Sequence, residues 1–111
     1  MNDIITFEDF TKVDLRVGTI IEVNDFPEAR NPAYQLIIDF GDLGIKKSSA
    51  QITTLYKKEA LLLKQIVAVV NFPKKQIAKF NSECLVLGAV NGKDVILLNP
   101  ENKVKNGSVV A

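Results

Sequence analysis

Short runs of β-branched and aliphatic residues, each cut off by Gly, Pro or Asn, recur along the chain, and a single helix-like segment interrupts them. This order restricts the fold more than any one motif does. Leu15 to Asn24 reads LRVGTIIEVN, with Gly18 inside it, where a missing side chain permits a bulge or sharp coil in a long first strand. Asp25 to Ala33 contains Pro27 and Pro32 and cannot continue a central strand, so it reads as a loop into a second strand from Tyr34 to Phe40. After the Gly41 to Gly44 turn, Ile45 to Ser49 makes a short third strand. Thr53 or Thr54 can cap a helix through LYKKEALLL, with Leu55, Tyr56, Leu62 and Leu63 on one side and Lys57 and Lys58 facing outward. Gln65 to Asn71 is nearly all apolar and fits a central fourth strand, Glu83 to Val90 fits a fifth, and Asn91-Gly92 marks a tight hairpin into Val95 to Leu98. At the start, Thr6 followed by Phe7, Glu8 and Asp9 predicts a short capped helical turn with acids near its positive end.

Three strands, a helix and two strands is the order of the five-stranded OB-fold β-barrel, an all-β fold with short helices. Such barrels bind oligonucleotides on strands two and three and in the loops L12 and L45. Here Asp25 to Ala33 becomes L12, Phe72 to Ser82 becomes L45, and Lys46 and Lys47 lie on strand three. A chain of 111 residues with 47% hydrophobic residues sustains one sizeable core, so residues 1–111 read as one domain. Its parts are a helical extension at 1–13, a barrel at 14–90, and a hairpin and tail at 91–111.

The net charge of +1 hides an uneven distribution. Residues 1–43 hold nine acids against three bases, residues 44–80 hold one acid against eight bases, and residues 81–111 hold three of each. The basic middle third falls on the binding elements of the barrel or on the helix. Within L45, Lys74, Lys75 and Lys79 alternate with Phe72, Ile77 and Phe80, and no acid occurs from Phe72 to Ser82. Cationic charge beside flat apolar surface suits a single-stranded nucleic acid, while the bland reading of the same lysines is a solvated surface.

Catalysis has little to work with. The chain has no histidine, so the commonest general base and metal ligand are both missing, and no Gly-rich phosphate cradle is present. Asp39 and Asp42 read as ordinary solvated acids near a turn. The lone Cys84 lies in an apolar run and reads as a buried, reduced thiol. Neither a cofactor nor a metal is expected. No apolar run approaches the roughly 20 residues a bilayer span needs, and the start MNDIITFEDF is acidic where a signal peptide is basic, so a cytoplasmic protein with no membrane insertion is expected.

Asp14-Leu15-Arg16-Val17-Gly18-Thr19-Ile20, Ser48 to Ile52 and Asn71 to Ala89 resemble the tRNA-binding domain shared by methionyl-tRNA synthetase extensions and small free-standing homologues. Within that group FPEAR at Phe26 to Arg30, SSAQIT at Ser48 to Thr53 and NFPKKQIAKFNSECLVLG resemble the CsaA branch of export-related chaperones. The resemblance covers nearly the whole chain. It implies an OB-fold homodimer whose terminal extensions form the dimer contact, here the initial helix and the tail after Asn99. It also implies binding of unfolded or presecretory polypeptide, the export ATPase SecA as a partner, and tRNA or single-stranded RNA as the alternative ligand of the same face.

Carried over residue by residue, the RNA-binding candidates are Arg16, Lys46, Lys47, Ser48, Asn71, Lys74, Lys75, Lys79 and Ser82. Arg16 can instead form a structural ion pair with Asp14 or Glu22, and Asn71 and Ser82 can bond loop backbone. The peptide-binding candidates are Phe26, Pro27, Tyr34, Phe72 and Ile77, lining an apolar groove with the lysines at its rim. Phe72 and Phe80 can stack bases or anchor the loop in the core. Two departures from the broader group, Cys84-Leu85 in place of a small residue and Met, and FPEARNPA in place of a HPNAD-like loop, tilt the expected ligand toward extended polypeptide.

Overall fold

A computed structural model describes all 111 residues. Its organising element is β1 (Leu15–Asp25), whose first half pairs antiparallel with β4 (Gln65–Val69) and whose second half pairs with β2 (Tyr34–Asp39). One strand serves two neighbours because it coils sharply, and Gly18 and Ile21 make that possible. A Cβ on Gly18 would lie 2.7 Å from Ile38 and 2.8 Å from the Phe40 ring, so glycine is needed for close packing over the core. The bulge itself falls three residues later, where the register with β2 slips between Ile20 and Glu22.

β2 pairs with β3 (Ile45–Ala50), and β4 pairs with the short β7 (Leu85–Val86), giving the order β3-β2-β1-β4-β7. The result is a nearly closed five-stranded antiparallel barrel, the OB-fold read from the sequence. Its seam runs between β3 and Glu83-Cys84. There the Glu83 N–H donates to the Lys47 carbonyl at 2.7 Å, and the Ser48 hydroxyl donates to the Cys84 carbonyl at 2.9 Å.

Alternation along β2 aims Tyr34, Leu36 and Ile38 inward, where they meet Ile20, Phe40, Ile52, Leu61, Ile66, Ala68 and Cys84 in the main core. At the amino terminus, Thr6 caps α1 (Phe7–Thr11) as expected. Its Oγ1 accepts from the Asp9 N–H and the Asp9 carboxylate accepts from the Thr6 N–H, both at 3.1 Å. The carboxylate gains by accepting those bonds, and its pKa is lowered chiefly by the one from the Thr6 backbone.

Three elements differ from the sequence reading. The middle helix is only four residues, α2 (Lys58–Leu61), and follows Lys57 with no side-chain cap, so neither Thr53 nor Thr54 starts it. A turn closed by the Tyr56 N–H on the Ile52 carbonyl occupies the preceding stretch. So short a helix puts one residue in the core, and that residue is Leu61, while Leu55, Leu62 and Leu63 are exposed. Leu63 takes a left-handed conformation with φ of 68°, its N–H reaching the Ile20 carbonyl beside the bulge at 2.7 Å.

L45 is not an open loop. It folds into a hairpin of β5 (Lys75–Ile77) and β6 (Phe80–Ser82) with Ala78 and Lys79 at the tip. The fifth strand also breaks. After β7 the Leu87 N–H still reaches the Val67 carbonyl, but β8 (Gly88–Asn91) then departs to pair with β9 (Asp94–Leu97). Asn91 faces Asp94, so the turn is Gly92-Lys93, one residue later than expected, with Gly92 at φ of 64°.

The tail runs along the first half of β1. Gly107 donates to the Val17 carbonyl, Val17 to Ser108 and Val110 to Leu15, and the Gln65 amide clamps the Val104 backbone from both sides. No helix is long and apolar enough to cross a membrane.

Candidate ligand-binding face

The β5–β6 hairpin stands against β3 and sets its own lysines beside Lys47. Lys74, Lys75 and Lys79 are exposed on it, and Lys47 on β3 extends its ammonium over the Phe80 ring at 5.3 Å from the centroid. Lys46, one residue earlier, shares the inward face of β3 with Ser48 and lies opposite the buried Ile38. Strand alternation therefore separates the two β3 lysines. Lys47 belongs with the hairpin, and Lys46 turns toward the barrel.

A second small core holds the hairpin in place. Phe80 is 9% exposed and packs at a tilt on Phe26, ring centroids 5.3 Å apart, with Ala33, Ala29 and Ile77 around the pair. L12 and L45 are thereby joined. Polar bonds pin the hairpin foot: the Ser49 N–H donates to the Ser82 hydroxyl at 3.2 Å, and the Lys47 N–H donates to Glu83 Oε1 at 3.0 Å. Glu83 Oε2 lies 3.7 Å from the Lys74 ammonium. The acid-free count from Phe72 to Ser82 stops one residue short of this carboxylate.

At the hairpin foot lies an open cleft of about 310 Å³ lined by Phe72, Pro73, Lys75, Ser82, Cys84 and Leu85. Phe72 is 53% exposed and Leu85 is similarly open. Pro73 and Leu85 were not among the sequence candidates. Alternation outward from the buried Cys84 is the signal that places Leu85 on the surface.

The two sets of candidates are reorganised. Of the peptide set, Phe72 alone lines the cleft. Phe26 is buried in the second core, and Tyr34 is buried in the main one, its hydroxyl donating to the Tyr56 carbonyl at 2.9 Å, so neither is available to an open groove. Ile77 is half-buried beneath the hairpin, and Pro27 is exposed on L12 away from the cleft lining.

Of the RNA set, Ser48 is 1% exposed and closes the barrel seam, which withdraws it from solvent. Asn71 stitches the exit of α1 to the end of β4: its Oδ1 accepts from the Asp14 N–H at 2.9 Å and its Nδ2 donates to the Lys12 carbonyl at 2.7 Å. Arg16 takes the structural partner, with Nε 2.6 Å from Asp14 Oδ1 and Nη1 donating to the Gly107 carbonyl at 3.0 Å, which fastens the tail. Ser82 bonds Ser49 while lining the cleft. Cys84 is buried and its thiol pKa is pushed up to about 11, chiefly by burial, with Lys46 acting the other way.

A separate apolar surface surrounds α1. Phe7, Val13 and Val109 are exposed there, and a cleft of about 480 Å³ opens between α1 and the end of the tail.

The family described as "Putative tRNA binding domain" matches residues 15–109. Methionine–tRNA ligases from Pyrococcus abyssi and Thermococcus kodakarensis are 40% and 38% identical over 106 and 104 residues, 96% and 94% of this chain. The chain spans only 14% of the length of each. Among solved structures, chaperone CsaA of Bacillus anthracis str. Ames superposes with a TM-score of 0.93 at 53% identity, over 98% of this chain and 100% of that one. The CsaA chaperone protein of Picrophilus torridus gives 0.91 at 57% identity, over 97% and 100%.

Proposed function

The chain belongs to the CsaA branch of the tRNA-binding domain family, and from that membership and the geometry of its hairpin we propose that it binds tRNA or single-stranded RNA. The observation that carries this reading is the lysine-bearing β5–β6 hairpin, with Lys74, Lys75 and Lys79 exposed, Lys47 beside it and the open ring of Phe72 at its foot. Lysines track phosphates without regard to sequence, and an exposed ring stacks on any base, which is the pairing non-specific single-strand binders use. Burial of Phe26 and Tyr34 subtracts from a peptide groove, while every hairpin lysine remains open, so RNA moves from the alternative to the first reading. Triple replacement of Lys74, Lys75 and Lys79 by alanine tests it. Unchanged affinity for tRNA in that variant would remove the reading.

The apolar lining of Phe72, Pro73 and Leu85 supports a second reading: a chaperone that holds unfolded or presecretory polypeptide during export, with SecA as a partner. The CsaA chaperones of Bacillus anthracis and Picrophilus torridus share more than half of this sequence. Polypeptide held in this way stays bound at high salt, and the protein suppresses aggregation of an unfolded client at near-stoichiometric ratio. Failure to suppress aggregation, with tight tRNA binding retained, would leave the first reading alone.

Under either reading the chain acts in the cytoplasm as a non-catalytic binding module. Its exposed α1 and tail surface supports a homodimer. Light scattering at micromolar concentration is expected to give about twice the chain mass of 12.3 kDa; a monomer mass would oppose the dimer.

A further inference from the structure

We infer that Glu83 is the positioning residue that sets how strongly the hairpin attracts RNA phosphate, by occupying Lys74 until the ligand displaces it. The inference rests on the RNA reading. Its basis is a division of labour between the two carboxylate oxygens. Oε1 accepts the Lys47 N–H at 3.0 Å, and the Glu83 N–H returns to the Lys47 carbonyl at 2.7 Å, so the residue is fixed to β3 at both ends. Oε2 is left over and faces the Lys74 ammonium at 3.7 Å.

The Lys74 side chain is 68% exposed, whereas that of Glu83 is 22% exposed and pinned. The contact is longer than a charge-assisted hydrogen bond and open to solvent on the lysine side, which makes it weak and exchangeable. A phosphate presents the same chemistry with more charge. It takes Lys74 from Oε2 without disturbing Oε1, so ligand entry leaves the seam of the barrel intact. Lys75 and Lys79 have no carboxylate within ion-pair distance and are available throughout. Lys74 therefore binds RNA at a discount relative to its neighbours, and Glu83 sets that discount.

Glu83→Gln isolates the effect. The amide keeps an oxygen to accept the Lys47 N–H and loses only the charge facing Lys74. With a 12-mer oligouridylate probe followed by fluorescence anisotropy from 50 to 200 mM salt, E83Q is expected to bind about two- to fivefold more tightly than wild type. Its log K against log salt should keep the wild-type slope, because Lys74 meets phosphate in both proteins and only the cost of releasing it from Glu83 is removed. In a Lys74→Ala background the same substitution should change little.

Unchanged or weaker binding by E83Q overturns the inference, as does equal tightening with Lys74 absent, since that is a long-range charge effect. Should E83Q fail to fold, K74A and K75A decide the matter: K74A should weaken binding less than K75A, and equal weakening overturns the proposal. Absence of salt-dependent binding by the wild-type protein removes the RNA reading and this inference together. Ordinary wild-type binding with E83Q unchanged removes the inference alone.

Discussion

Replacing Phe80 and Phe72 by alanine, one at a time, separates the aromatic that builds the face from the one that meets ligand. Phe80 is 9% exposed, packs on Phe26 at 5.3 Å and lies under the Lys47 ammonium. Truncation of a buried phenylalanine costs about 3–5 kcal/mol, and a small core beneath a loop collapses more readily than a barrel centre, so about 3 kcal/mol is expected. Roughly 1 kcal/mol of that is the aromatic pair, and about 0.5 kcal/mol the cation over the ring. Against a typical stability of about 5–15 kcal/mol the variant stays folded. Phe72, at 53% exposed, has less burial to lose, and its truncation should cost less than about 1 kcal/mol of stability. Its loss should instead remove base stacking of about 1–3 kcal/mol, weakening RNA binding about five- to 150-fold. Urea unfolding by circular dichroism and oligouridylate anisotropy read the two quantities separately. A stability loss below about 1 kcal/mol for F80A would show that L12 and the hairpin are not packed together, and wild-type affinity in F72A would remove Phe72 from the site.

The triple variant K74A/K75A/K79A should reduce the salt slope of single-strand binding by about 2, and a slope equal to wild type refutes phosphate contact by the hairpin. Gly18→Ala drives a methyl to within 2.8 Å of Ile38 and Phe40, and overpacking of about 2–3 kcal/mol should appear as a lower urea midpoint; an unchanged midpoint would mean that the strand relaxes freely. Cys84 titrates at about 11 when folded against 9.0 ordinarily, so the unfolded chain releases that proton first. The associated stability is complete below about pH 9 and declines as pH rises toward about 11, by roughly 3 kcal/mol. The difference in unfolding free energy between wild type and Cys84→Ala should carry that pH dependence; a constant difference would refute it.

Strand order was legible because it depends on local chemistry that each segment carries by itself. The prolines of Asp25 to Ala33, the β-branched run of β1 and the Thr6 cap all state their structure without reference to anything distant. The helix was misjudged for the converse reason. Leu55, Tyr56, Leu62 and Leu63 satisfy helical spacing, but β4 must start at Gln65 beside β1, and the chain reaches it only by ending α2 at Leu61 and turning through a left-handed Leu63. Tertiary geometry overrode a good local pattern. The hairpin inside L45 was hidden similarly: Lys75 to Ile77 and Phe80 to Ser82 are too short to read as strands, and they pair because Phe80 finds Phe26 some fifty residues earlier in the chain.

The site separates along the same line. The exposure of Lys74, Lys75 and Lys79 was legible because a flexible cationic side chain does little else in a hairpin than reach solvent, whereas Lys46 is parted from Lys47 by strand alternation. Short polar residues carry no such information. Ser48, Asn71 and Ser82 each have a hydrogen bond to give, and whether it goes to ligand or backbone depends on which main-chain groups the fold leaves unpaired. An incompletely closed barrel leaves several. At its seam and ends the Ser49 N–H, the Cys84 carbonyl, the Asp14 N–H and the Lys12 carbonyl all lack strand partners, and these three side chains satisfy them. Glu83 belongs to the same group through Oε1 but differs in having a second oxygen to spare. A seam closed by side chains rather than by a continuous ladder thus consumes the neutral polar residues and leaves one carboxylate half engaged beside the lysines. The barrel's own closure, more than any residue chosen for contact, determines which charges remain for a ligand.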